Sequence, residues 1–105
     1  MRRVSLRKSI SQNGRRVEVL RRMYVVFDSC SGVHDNPFPA HTDNDAIRRL
    51  RNSLTEPNHP IAMSPADFHM KFIGIFDDST GRFEPADVCE VIVSAIDLLT
   101  ESDDA

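Results

Sequence analysis

The reactive side chains of this chain are four histidines, two cysteines and sixteen carboxylates, and their separations along the sequence decide what they can carry out. Cys30 and His34 stand four apart, but on a Gly-containing stretch without the strand–turn–helix pattern of a nucleophile elbow. A metal set drawn from Cys30, His34, His41 and Cys89 lacks the usual pair of closely spaced ligands on the Cys89 side. Asp77-Asp78-Ser79-Thr80-Gly81 has the composition of a calcium loop without its alternating ligand spacing or distal Glu, so a plain hairpin turn accounts for it. The four glycines are isolated, which leaves no loop to cradle a phosphate. An enzymatic pocket would have to be assembled from Asp28, His34 and His69. The expectation is a protein that is not an enzyme and carries neither metal nor cofactor.

Charge is distributed more informatively. Residues 1–22 hold eight Arg or Lys and a single acid, Glu18, whereas residues 23–105 hold five basic residues against fifteen acids. The net charge of −3 therefore conceals a +7 arm in front of a −10 body. The arm's cations come in pairs, Arg2-Arg3, Arg7-Lys8, Arg15-Arg16 and Arg21-Arg22, separated by residues such as Ser, Asn, Gln and Gly. Flexible, doubly charged clusters of this kind can follow a phosphate backbone and release counterions from it. Arg48, Arg49 and Arg51 form a second cluster, which could share a surface with Lys71 and an aromatic such as Tyr24 or Phe38 on which bases stack. A solvated tail and a solvated helix face are the competing readings of the two clusters. No helix-turn-helix or zinc-finger pattern points to base-specific readout of duplex DNA.

The elements that would position these groups fit one domain in a 105-residue chain. Residues 1–22 are expected to be a disordered basic arm, 23–100 a single α+β domain, and 101–105 an acidic tail. The arm is too polar for a secretory signal, and Asn13 and Gly14 interrupt the helix an organellar transit peptide would need. No apolar run is long enough to span a bilayer. Two cysteines are too few for a disulfide framework and fit a reducing cytoplasm, with a single bridge left open. MYVVFD reads as a strand, and TDNDAIRRLRNSL as a helix capped by Thr42 or Asp43, with Ala46, Ile47, Leu50 and Leu54 on one face. Three prolines between Thr55 and Pro65 enforce a loop, with room for one helical turn at Ser64-Pro65. FHMKFIGIFDDSTGRFEP reads as a hairpin, with Phe68, Met70, Phe72, Gly74 and Phe76 on one face. In PADVCEVIVSAIDLLTES, Glu90, Ser94, Asp97 and Glu101 form one narrow polar stripe, so a second helix over 86–100 is expected, apolar enough to support a homodimer. The fold expected is an antiparallel sheet of about three strands with two helices packed on one face.

Several of these segments together resemble a known family. Phe27-Asp28-Ser29, Pro37-Phe38, Thr42 with Ala46-Ile47-Arg48, and the aromatic-rich run from Phe68 through Phe83 occur in the order found in the small nonstructural protein of gokushovirus-type microviruses, single-stranded DNA phages of bacteria. The resemblance covers about residues 23–99. It implies a non-enzymatic protein of the bacterial host's cytoplasm that binds single-stranded DNA during genome replication or packaging. Family members begin near the equivalent of Met23, which would make the arm an extension and Met23 an alternative start. Binding without sequence specificity, through the arm and Arg48, Arg49 and Arg51, is the function expected. The alternative is an interaction module acting on viral or host proteins through its acidic body and apolar C-terminal helix.

Overall fold

The computed structural model describes residues 20–104. Two long strands, β1 (Leu20–Asp28) and β4 (Phe68–Asp77), pair antiparallel along their whole length and form the spine of the domain. Each lends its outer edge to two short strands. On β1, β3 (Phe38–Ala40) pairs with Arg22–Tyr24 and β2 (Val33–His34) with Phe27–Asp28. On β4, β5 (Arg82–Pro85) pairs with Gly74–Asp77 and β6 (Val91–Ser94) with His69–Lys71. The sheet therefore has six strands, not three. Strands of two to four residues are too short for an alternating pattern to reveal, and Pro37 and Pro39 mask the stretch that holds β3.

The expected first helix is present as α1 (Asp43–Leu54). The Thr42 hydroxyl oxygen accepts the Asp45 N–H at 3.1 Å, and Asp43 and Asp45 place negative charge at the positive end of the helix dipole. The proline-rich connection folds into α2 (Pro60–Met63), capped by His59, and a 3₁₀ turn over Pro65–Asp67. The second helix expected over 86–100 is not formed. Residues 86–90 lie outside regular structure, Val91–Ser94 is β6, and α3 occupies Ala95–Asp104. Three consecutive β-branched residues, Val91-Ile92-Val93, prefer an extended backbone and find a free edge on β4. The dimer expected through an 86–100 helix thus loses that helix, although Val88 and Val91 stay 65% and 50% exposed beside Ile96 and Leu99.

All three helices serve one face of the sheet. Tyr24, Met70, Ala46, Leu50, Ile61, Ala95 and Leu98 form the buried cluster, with Val26, Phe68 and Phe72 packed against it. The anchor between layers is polar. Tyr24 is fully buried, and its hydroxyl donates to Asp43 Oδ1 at 2.5 Å. Arg22 Nε donates to the same phenol oxygen at 2.8 Å, and Arg22 Nη2 to Asp43 Oδ1 at 3.0 Å. The Tyr24 hydrogen bond, reinforced by Arg22, holds the Asp43 carboxyl below the usual carboxylate range, whereas burial and the bond to Asp43 push the Tyr24 phenol up.

β4 carries one extra residue. Tyr24 faces Phe72 but Met23 faces Gly74, so Ile73 is bulged out of register. Beyond that point the faces exchange: Ile75 lies opposite Arg22 and Phe76 opposite Arg21, so the expected single face from Phe68 to Phe76 holds only as far as Phe72. Gly74 adopts φ +152°, and a Cβ there would lie 2.4 Å from the Glu84 carbonyl oxygen and 2.6 Å from Phe83 Cζ. At the end of the strand, the Ser79 hydroxyl and N–H donate to Asp77 Oδ1 at 2.7 and 2.9 Å and hold this buried carboxyl below its ordinary range.

Gly74→Ala is expected to lower stability by about 2 kcal/mol, read as a lower urea midpoint at unchanged m-value. Asp43 and Asp77, with depressed folded values, contribute stability that is fully present above the ordinary carboxylate range and lost as pH falls through those values. Urea midpoints measured from neutral pH into acid should therefore decline, and Asp43→Asn should be less stable at neutral pH with a shallower acid decline.

Candidate nucleic-acid interface

The structure separates the basic residues into three groups. Arg2, Arg3, Arg7, Lys8, Arg15 and Arg16 lie outside the described residues. Arg21 and Arg22 belong to β1, which begins at Leu20, upstream of the expected Arg22/Met23 boundary. Both are engaged within the domain. Arg21 donates to Asp78 Oδ2 through Nε at 3.1 Å and Nη2 at 3.0 Å. Arg22 joins Tyr24 and Asp43, with its guanidinium 4.2 Å from the Phe72 ring centroid.

The third group sits on α1, where Arg48 and Arg49 are exposed and Arg51 half-buried. Arg49 lies over the Phe38 ring at 4.2 Å. The expected common surface with Lys71 and Tyr24 is not assembled. Tyr24 faces the helices and is buried, while Lys71, opposite Val25 in the register, is on the other side of the sheet. Of that expectation, the structure brings together Arg49 and Phe38.

The helix-free face carries a different constellation. Cross-strand register sets His34 opposite Phe27, Phe27 opposite His69, and His69 opposite Ser94, a row that crosses β2, β1, β4 and β6. The rings are close enough to act as one strip. Phe27 and His34 have centroids 4.4 Å apart at 35°, and Phe27 and His69 6.4 Å apart at 34°. Lys71, two residues along from His69 and so on the same face, places Nζ 4.3 Å from the Phe27 centroid and donates to His34 Nε2 at 3.0 Å. His69 is steadied at both nitrogens, with Nδ1 2.7 Å from Ser94 Oγ and Nε2 3.3 Å from Ser29 Oγ. The half-buried Phe27 ring with a fixed ammonium beside it combines a π-face with a positive charge, the two elements that hold a base and its phosphate in sequence-tolerant binding.

Sequence reasoning missed Phe27 and His69 in this role. The available signal was the alternation of β1, in which Phe27 falls on the opposite face from Tyr24 and Val26. Asp28 does not join His34 and His69 in a pocket. Its Oδ1 accepts the N–H groups of Cys30 at 2.9 Å and Ser31 at 3.4 Å and so closes the turn after β1. Cys30 and Cys89 are exposed free thiols, and among the described residues no three His, Cys, Asp or Glu are grouped to hold a metal ion. Nor is any helix among them long and apolar enough to cross a membrane.

Residues 21–98 match the family described as Phage ORF5 protein. No curated protein and no solved structure matches the chain. The matched span runs from the start of β1 into α3 and includes the bulge, the α1 cap, the His34–Phe27–His69 row and Lys71. The protein with this split-edged sheet is a bacteriophage protein, a member of the Phage ORF5 family.

Proposed function

We propose that this protein binds single-stranded DNA without sequence specificity, as a nonstructural protein of a gokushovirus-type microvirus acting in genome replication or packaging in the host cytoplasm. The observation that carries the reading is the Phe27 ring with Lys71 above it and His34 and His69 beside it on the helix-free sheet face. A base stacks on such a strip whatever its identity, and Lys71 is placed to meet the adjoining phosphate. Because residues 23–105 carry a charge of −10, bulk attraction cannot hold a polyanion there. The six cations among residues 2–16 supply phosphate contacts, with Arg48 and Arg49 adding charge on the helix side.

Fluorescence anisotropy of a labelled oligonucleotide across a salt series tests this. With seven phosphate contacts, six from the arm and one from Lys71, the slope of log K against log[salt] should be about −5, roughly a 1,000-fold loss between 50 and 200 mM. Lys71→Gln should make the slope shallower by about 0.7, and Phe27→Ala should weaken binding about tenfold at any salt. Phe27→Tyr, which retains the π-face, should keep most of the affinity. Absence of binding at low salt overturns the reading. The exposed Val88, Val91, Ile96 and Leu99 favour the alternative, a module for viral or host proteins, and that reading predicts partner capture unaffected by Phe27→Ala.

A further inference from the structure

On the helix-covered side, a groove of about 640 Å³ opens between β1, the segment bearing β2 and β3, and the helices α1 and α2. That volume lies in the range of small-ligand sites and exceeds what one nucleotide occupies. Its lining includes Leu50 and Met70 of the core, both buried. Phe38 stacks on Tyr24, with centroids 6.0 Å apart at 29°, and carries the Arg49 guanidinium at 4.2 Å. A planar cation is therefore held against an aromatic ring in this lining, an arrangement on which a nucleobase stacks.

The remaining polar groups are complementary in kind. His59 Nδ1 accepts the Ile61 N–H at 3.1 Å, which requires the neutral ring's proton on Nε2 and leaves that nitrogen as a donor. Asp35 also lines the groove; its Oδ1 accepts the Asn36 N–H at 2.7 Å, and Oδ2 remains as an acceptor. Arg49 and His59, from the helical elements, thus line the same groove as a carboxylate from the loop between β2 and β3. An occupant that satisfies both must be flat, with an N–H donor at one end and an anion or acceptor at the other.

We propose that the groove takes one amino-bearing base of a single strand, adenine, cytosine or guanine, its ring against Arg49 and its exocyclic amino group on Asp35. Thymine carries a carbonyl at the position of cytosine's amino group and would set that acceptor against the carboxylate, keeping only its N3–H to donate, and is disfavoured. The inference rests on the DNA-binding reading and adds to it a base preference at one position of an otherwise sequence-tolerant footprint. It uses the helix side of the domain, so its failure is separable from that of the Phe27 face.

The test is a pair of ¹H–¹⁵N titrations of the full chain with dCMP and dTMP, alongside anisotropy with octamers of dC and dT. The expected result is that dCMP moves amides around the groove, among them Asn36, Phe38 and Ile61, while dTMP leaves them in place. The dC octamer should bind about five- to tenfold more tightly than the dT octamer; Asp35→Ala should remove that difference without altering the rest of the spectrum, and Arg49→Gln should weaken both octamers. If both octamers bind equally and neither nucleotide moves the groove amides, the inference falls and the sheet-face reading stands. If no octamer binds at low salt, the sheet-face reading falls and the base preference that rests on it falls too, even where dCMP moves the groove amides. If neither nucleotide nor octamer produces any change, both fall.

Discussion

When β1 packs beneath α1, the hydroxyl of Tyr24 must leave water, and it does so at no net loss because Asp43 accepts its hydrogen bond at 2.5 Å. The same carboxylate oxygen receives Arg22, so one acid satisfies a buried phenol, balances a half-buried cation and occupies the first turn of α1, where negative charge is favoured. These are coupled requirements. The position of α1 over the sheet fixes where Arg49 falls, and the Tyr24 ring fixes where Phe38 lies. One face of the sheet is then committed to the core, and polar and aromatic side chains in register on the other face are left to the solvent.

Much of this arrangement follows from local signals. The α1 cap, the Leu50 face, the MYVVFD strand and the β4–β5 hairpin are each specified within a dozen neighbouring residues, and all form where local rules place them. The failures share a cause, which is dependence on contacts distant in sequence. Val91-Ile92-Val93 has the apolar density of a buried helix and becomes a strand because β4 has an unfilled edge. Ile73 is an ordinary strand residue until the pairing of β1 with β4 bulges it. Arg21 and Arg22 look like the end of a basic tail, but Asp78 lies 57 positions away and Asp43 twenty-one, and no short-range pattern shows the pairing.

The candidate site shows the same division. Tyr24, one of the two aromatics expected to offer a stacking surface, is instead buried, with its hydroxyl served by Asp43. Phe27, within the MYVVFD strand, lies on the helix-free face because strand alternation puts it there. The acidic balance of the body also acquires a different meaning. Its carboxylates are not only a solvated face: Asp28, Asp43, Asp77 and Asp78 each accept from a backbone N–H, a hydroxyl or an arginine, and so work as ties at turns and layer junctions.

The split edges of the sheet bear on the behaviour of the protein in crowded solution. Neither flank presents a continuous ladder: one is broken between β2 and β3, of two and three residues, and the other between β5 and β6, of four residues each. A strand arriving from another chain could register with only a few amide and carbonyl groups before reaching a gap or a change of direction. The proline of β3 removes one donor from that count. Two long strands are thereby kept in the interior of a sheet whose borders are poor templates, which works against edge-to-edge aggregation.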